Sequence, residues 1–426
     1  MLLQFSVENF RSFKEKTVLS MEASSDKELP NNYVATASGN YLKAASIFGA
    51  NAAGKSNLII AITAAILAIR GSNARQVGQN LPFITPFKFD ERSKELPSSF
   101  EFVFLAEGKK YVYGFSATQT TVEKEYLYVF NSFKPSTVFE FDRQNDPPYR
   151  FTSAALKKKL RPLTERNTEN KLFLATATAW NCKETEIPYL WFDNRINTSP
   201  SNFAESILNP QAKSMYANDK EDSLKSFTKN ILREADININ GFNIKTIERS
   251  YGQFRQDVPE EIRPLLPDFP EDQLATDYKI NTTHTFGDKE YTLSLDEESQ
   301  GTQNLFYFSP FLKRAFENGE AICIDEFDTN MHPSLIKYLV SLFNDPEINK
   351  ANAQLIITTH SMVLLSLDVL RRDQIYFIEK NRKTGSSELY SLDEFSPRKN
   401  ENVRKAYLEG RFGALPDIVE EASLWD

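Results

Sequence analysis

The chain has 426 residues, 41% hydrophobic and 12% aromatic with 33 Phe, so it can bury a large core and is neither disordered nor of low complexity. Its 50 Lys and Arg against 58 Asp and Glu leave a formal net charge of −8, which argues against a surface that grips nucleic acid everywhere. Two cysteines cannot build a disulfide framework or a zinc cluster, the apolar run Leu58–Ile69 is too short to span a membrane, and Met1–Phe13 lacks a signal peptide's pattern, so a reduced cytoplasm is the expected setting.

The first informative element is the apolar segment Ala45–Phe48, which reads as a buried strand. It runs into GANAAGKS, Gly49–Ser56, which meets G-x-x-x-x-G-K-[ST] at every specified position. Asn57–Ile69 then reads as a helix, with Gly71 as its stop. Small residues at Gly49, Ala50, Asn51, Ala52, Ala53 and Gly54 let backbone N–H groups curl around phosphates, and the helix N-terminus adds partial positive charge. Lys55 is placed to reach the outer phosphates, and the Ser56 hydroxyl to ligate magnesium.

Strand-like runs follow at Glu101–Ala117 and Glu125–Phe130, where aromatic and β-branched residues alternate with polar ones. Asp142–Pro148 breaks that pattern and reads as a turn or linker. From there to about Phe286, charged stretches of helical character alternate with Pro- and Asn-containing loops. After Tyr291, apolar strands return, each followed by a polar turn and a helix, the pattern of a mainly parallel sheet. The reading is therefore an α/β chain in three parts: a first lobe at 1–140, a mainly helical insert at 141–285, and a second lobe at 286–426.

Ser299–Gln303 opens an apolar helix, Asn304–Leu312; it offers an anion a hydroxyl and backbone donors, although taken alone it is an ordinary helix start with Ser299 as cap and Gly301 in the turn. The run Ala321–Ile324 leads into Asp325 and Glu326, with Asp328 in the following turn. Asp325, at a strand's carboxyl end, is placed to hold magnesium, and Glu326 to polarise an attacking water. A second buried strand, Gln354–Ser361, ends near His360, which can contact a γ-phosphate. His332 precedes Pro333 at a helix start, where capping competes with chemistry, and His284 reads as a surface residue without a partner. Local basic runs at Lys157–Lys159 with Arg161, at Arg371–Arg372 and at Arg398–Lys399 keep nucleic acid open as a partner.

With these residues in place, the chain resembles the ABC-type ATPases, in particular the branch containing SMC proteins, RecF and the overcoming-lysogenization-defect proteins. Ser299–Gln303 looks like a divergent ABC signature, Asp325–Glu326 like the Walker B pair, Asp328 like the D-loop and His360 like the switch histidine. Val7–Phe13 is similar to that branch's first strand and turn, where the basic residue, here Arg11, lies near the nucleotide. Closer still are bacterial "AAA family" ATPases of abortive-infection and restriction-linked operons, which share forms like GANAAGKSNL (with Asn57), DEFDTNMHP, TTHS and the tail Tyr407–Asp417. The resemblance covers about residues 1–130 and 290–420.

It implies a P-loop, ABC-type ATPase head with an antiparallel β lobe and an inserted module, binding ATP and Mg2+. It also implies a homodimer or higher homo-oligomer, in which Ser299 and Gly301 of one copy close over the nucleotide held by another. Ala52 departs from the Gly usual in related DNA-repair ATPases, and no Q-loop glutamine is evident, Asn181 being a weak substitute. The resemblance favours a nucleotide-switched sensor or scaffold in antiphage defence, working with an effector protein from a neighbouring gene. A DNA-repair or DNA-end-binding ATPase is the alternative, and a transporter ATPase is disfavoured by the large insert.

Overall fold

The computed structural model describes residues 1–81, 83–200, 204–258, 260, 263, 269–399 and 401–417. The chain begins with β1 (Leu2–Glu8), β2 (Thr17–Ser20), β3 (Tyr33–Thr36), β4 (Gly39–Leu42), β5 (Ala44–Phe48), α1 (Lys55–Arg70) and α2 (Glu91–Glu95). Next come β6 (Ser98–Ala106), β7 (Lys109–Ala117), β8 (Val122–Phe130), β9 (Pro135–Asp142), β10 (Tyr149–Arg150), α3 (Ala154–Thr164), α4 (Phe173–Ala179), α5 (Lys183–Asn194) and β11 (Ile196–Ser199). The middle holds α6 (Ala204–Ala217), α7 (Ser223–Glu234), β12 (Gly241–Ser250), α8 (Tyr251–Asp257), β13 (Leu274–Phe286) and β14 (Lys289–Ser294). The last stretch carries α9 (Gln300–Asn318), β15 (Ala321–Ile324), α10 (Pro333–Asn344), β16 (Gln354–Thr358), β17 (Ile375–Lys380), β18 (Ser387–Ser391) and α11 (Val403–Leu408). These elements form two units, one of Met1–Ser201, Phe316–Asp328 and Leu339–Asp426, the other of Asn202–Ala315 and Thr329–Tyr338.

The first unit has two large sheets and the small antiparallel pair β3-β4. Seven antiparallel strands run in the order β10-β9-β8-β7-β6-β1-β2, and six strands run β11-β15-β16-β5-β17-β18, parallel except for the last pair. Helix α1 is apolar on nearly every side, from Leu58 to Ile69, and most of that stretch is buried, with Leu67 exposed. It shares one core with Phe100, Phe102 and Phe104 of the antiparallel sheet and with Ile47, Cys323 and Ile356 of the parallel sheet. The abundant Phe residues fill this core: Phe104 stacks on Trp191 at 4.1 Å and Phe102 meets Phe192 edge-on at 5.1 Å. Both cysteines are buried free thiols. No helix among the described residues is long and apolar enough to cross a membrane.

The expected break at Asp142–Pro148 is a connection within the antiparallel sheet, since Tyr149 and Arg150 pair back onto Phe141 and Glu140. Helices α3, α4 and α5, in the stretch read as the insert, belong to the first unit. One buried carboxylate anchors α4. Glu125 on β8 accepts the N–H groups of Phe173 and Leu174 at 2.6 and 2.8 Å and the Tyr113 hydroxyl at 2.9 Å. Burial raises its pKa to about 7, against the pull of those three donors.

The second unit combines helices with an antiparallel sheet, β12-β13-β14, so its content is not helical alone. Its core gathers around Tyr216, whose ring lies 4.8 Å from Phe306 and whose hydroxyl donates to the Phe306 carbonyl at 2.8 Å. The sheet's residues are largely polar and exposed, for example Asn243, Lys245, Thr246 and Glu248 on β12, which is why apolar alternation does not reveal it. His284, expected to lack a partner, sits on β13 with Nε2 at 2.7 Å from Glu298, its side chain 12% exposed. The error has a simple cause: the partner is fourteen positions away and reaches it only through the fold.

Candidate nucleotide site

The six-stranded sheet assembles the site at the carboxyl ends of three neighbouring strands. Strand β5 leads into Gly49–Ser56, β15 ends before Asp325, and β16, hydrogen-bonded to both, ends before Thr359 and His360. Five consecutive buried residues on β5 hold the loop's entry, and α1 begins at Lys55. Gly54 has φ +116°, and a Cβ there would lie 2.7 Å from Ser12 Oγ and closer still to Ser387 Oγ, so only glycine fits. Ala52 also takes a left-handed φ, +62°, and accepts a strain that glycine would not have.

Lys55 is 7% exposed, and its ammonium folds back onto the loop, donating to the carbonyls of Gly49 at 2.9 Å and Ala50 at 3.0 Å. Burial lowers its pKa, while the charges of Asp325, Glu326 and Asp328 oppose that shift. The acidic pair is held by a residue that carries no role in the sequence reading. Thr358 donates its hydroxyl to Asp325 Oδ1 at 2.5 Å and accepts the Glu326 N–H at 2.8 Å. Asp325 is 4% exposed. Glu326 is exposed, with φ +51°, a strained backbone in a residue type that rarely adopts it. Such strain concentrates at functional sites.

His360 is tied to the same cluster through its backbone, which donates to both carboxylate oxygens of Asp328 at 3.2 and 3.1 Å. Burial and then the Lys55 charge lower its pKa; Asp328, Glu326 and Asp325 pull the other way. The net direction favours the neutral imidazole at pH 7. Lys55, Asp325, Glu326, Asp328 and His360 therefore share one electrostatic environment.

Arg11, with φ +50°, reaches Asn57 Oδ1 through Nη1 at 3.4 Å, and its buried Nε has no hydrogen-bond partner among the described residues. Asn57 donates in turn to Ser12 Oγ at 2.9 Å. Ser387 braces the loop from the other side, donating to the Ala53 carbonyl at 2.5 Å. Neither Ser12 nor Ser387 stands out in the sequence, because serines are common and their partners are distant. Of the remaining loop positions, Ala50 and Ser56 are half-buried, Ala53 is buried and Asn51 is exposed. Asn181, the Q-loop substitute, follows α4 in a left-handed turn with φ +59°.

In the second unit, Ser299 caps α9, accepting the Thr302 N–H at 3.2 Å and meeting its hydroxyl at 2.9 Å. Gly301 is pressed onto the backbone, since a Cβ there would lie 2.6 Å from the Asn330 carbonyl oxygen. His332 also caps: its Nδ1 accepts the Ser334 N–H at 3.2 Å at the start of α10.

The chemistry of these groups fits a magnesium nucleotide. A buried lysine, a glycine loop at a helix N-terminus and a buried carboxylate fixed by a hydroxyl are the donors that phosphates and a hard cation require. Among the described residues no group of three His, Cys, Asp or Glu side chains forms a metal cluster.

A family model described as "AAA domain, putative AbiEii toxin, Type IV TA system" matches residues 45–366. No curated protein matches the sequence significantly. Similar solved structures include an Smc head bound to the C-winged-helix domain of ScpA, at 12% identity and a TM-score of 0.44, covering 93% of this chain and 99% of that one. A Pyrococcus furiosus Smc head with an extended coiled coil, bound to the C-terminal domain of ScpA, shares 13% identity at a TM-score of 0.41, covering 96% and 99%. A Pyrococcus yayanosii Smc head with a coiled coil and joint shares 10% at 0.42, covering 93% and 99%.

Proposed function

This chain belongs to the AAA-domain family matched over residues 45–366, with the fold of a P-loop, ABC-type ATPase, and we propose that it binds ATP with Mg2+ and hydrolyses it as a nucleotide-switched scaffold. The observation that carries the reading is the convergence of Lys55, Asp325, Glu326, Asp328 and His360 at the ends of β5, β15 and β16.

Each residue then has a task. Lys55 exchanges its loop carbonyls for phosphate oxygens, and the loop's N–H groups bind the same anion. Ser56 and Asp325 are the residues that would hold magnesium, which when bound neutralises phosphate charge. Glu326, exposed beside Asp325, orients the attacking water and takes its proton. Neutral His360 donates a hydrogen bond toward the γ-phosphate. Arg11 and Asn57 border the loop and steady the nucleotide, and Asp328 fixes the His360 backbone.

In the same proposal, Ser299 and Gly301 of one copy engage the nucleotide of a second, so ATP favours a homodimer or larger assembly and hydrolysis releases it. In this proposal the cycle holds and frees a separate effector in antiphage defence within the cytoplasm; the family description names a putative toxin of a type IV toxin–antitoxin system. The alternative of a DNA-repair ATPase draws less support from the basic runs. Lys159 pairs with Glu184, Arg371 with Asp373, Arg372 with Asp26 and Lys399 with Glu28. Lys157, Lys158 and Arg161 stay exposed, and DNA binding that falls steeply with salt would favour that alternative.

The test is Glu326→Gln, assayed for phosphate release and for mass with and without ATP. We expect turnover to fall at least ~100-fold, in line with loss of a general base, while ATP-dependent association persists. Undiminished turnover would remove Glu326 from the mechanism.

A further inference from the structure

Glu298 stands immediately before Ser299, and its side chain is only 9% exposed. One carboxylate oxygen, Oε1, takes two donors from β13: the Thr282 hydroxyl at 2.5 Å and His284 Nε2 at 2.7 Å. Residues two apart on a strand point to the same face, so Thr282 and His284 present a matched pair to one carboxylate. The Glu298 backbone carbonyl accepts Gln303 Nε2 at 2.9 Å, and Ser299 Oγ accepts the Thr302 N–H. Glu298 thus links both sides of the turn that carries Ser299 and Gly301.

The strand offering those donors is a firm support. It is the central strand of its sheet, pairing β12 from Gly241 to Ser250 and β14 from Lys289 to Ser294. A buried carboxylate needs partners wherever it lies, but two donors on a central strand also fix its direction, and hence the turn's.

We propose that Glu298 is a positioning residue for the signature turn, held by the His284 Nε2–H and the Thr282 hydroxyl, so that β13 and turnover are linked through one carboxylate. This rests on the reading that Ser299 and Gly301 engage a second copy's nucleotide. None of the residues named belongs to the Gly49–Ser56 loop or to the acidic pair, so in this proposal they act on turnover and assembly and leave nucleotide capture alone.

The experiment compares His284→Phe with His284→Gln in the full chain. Phe keeps a ring in the place now parallel to Phe286, with centroids 6.2 Å apart, but removes the donor; Gln removes the ring and can return an N–H to the same oxygen. Turnover, affinity for a fluorescent ATP analogue and ATP-dependent mass are measured for both and for wild type. Losing a hydrogen bond to a charged group predicts a turnover about tenfold lower and weaker association for His284→Phe, with unchanged nucleotide affinity. His284→Gln stays within about threefold of wild type. A Phe variant as active as wild type, or a Gln variant that falls as far as Phe, overturns the positioning role while the ATPase reading stands. A wild-type chain that neither hydrolyses ATP nor associates with it overturns both.

Discussion

The candidate nucleotide site and the turn at Ser299–Gly301 share one small device. In the first unit, Thr358 donates to Asp325 at 2.5 Å; in the second, Thr282 donates to Glu298 at 2.5 Å. The surroundings separate them. Asp325 lies in the field of Lys55, a cation that donates to carbonyls of its own loop. Glu298 is taken up by the imidazole of His284. A carboxylate facing an exchangeable cation can turn to a ligand, whereas one satisfied by donors on a neighbouring strand holds a turn in place. The hydroxyl–carboxylate pair is therefore no sign of function by itself; the next charge decides what it does.

The largest effect that would break this comparison comes from Lys55. Replacing it with Ala removes two or more charge-assisted phosphate bonds, and we expect ATP affinity to fall at least ~100-fold by calorimetry, with the fold retained by circular dichroism. Binding at wild-type strength would show that the lysine is committed to its own loop. Thr358→Val sharpens the contrast. It leaves a buried carboxylate short of a donor, costing about 1–3 kcal/mol in denaturant titration, and should lower turnover about tenfold or more. Thr282→Val should cost less turnover, because His284 still holds Glu298; equal losses would erase the distinction between the two sites. The smallest effect is at Ala52. Changing it to Gly relieves the left-handed strain and offsets part of that gain through unfolded-state entropy, so a net stabilisation of about 1 kcal/mol or less is expected. A fall in melting temperature would argue that Ala52 makes a contact worth more than its strain.

Much of the candidate nucleotide site was legible in the amino-acid order because its motifs are local. Eight consecutive residues, Gly49–Ser56, specify an anion-binding loop, and Ala321–Ile324 followed by Asp325 and Glu326 specifies a buried strand with acids at its end. Periodicity likewise disclosed a helix at Asn57–Ile69, which lies within α1, and strand-like runs at Glu101–Ala117 and Glu125–Phe130, the first of which is two strands, β6 and β7, and the second part of β8. The polar sheet β12-β13-β14 was not legible, since strands that face water on most of their length lack the apolar alternation that marks a strand.

What the order of residues determined by itself was therefore the glycine-loop motif, the acidic pair and the apolar strand-forming runs, each written within a few adjacent positions. Only the tertiary structure decided that Thr358 holds Asp325, that Ser12 and Ser387 brace the loop, that Glu125 anchors α4 and that His284 grips Glu298. Each of these is a hydrogen bond between a common polar residue and a partner distant in the chain, and nothing in either local sequence marks the pair until folding brings the two side chains within bonding distance.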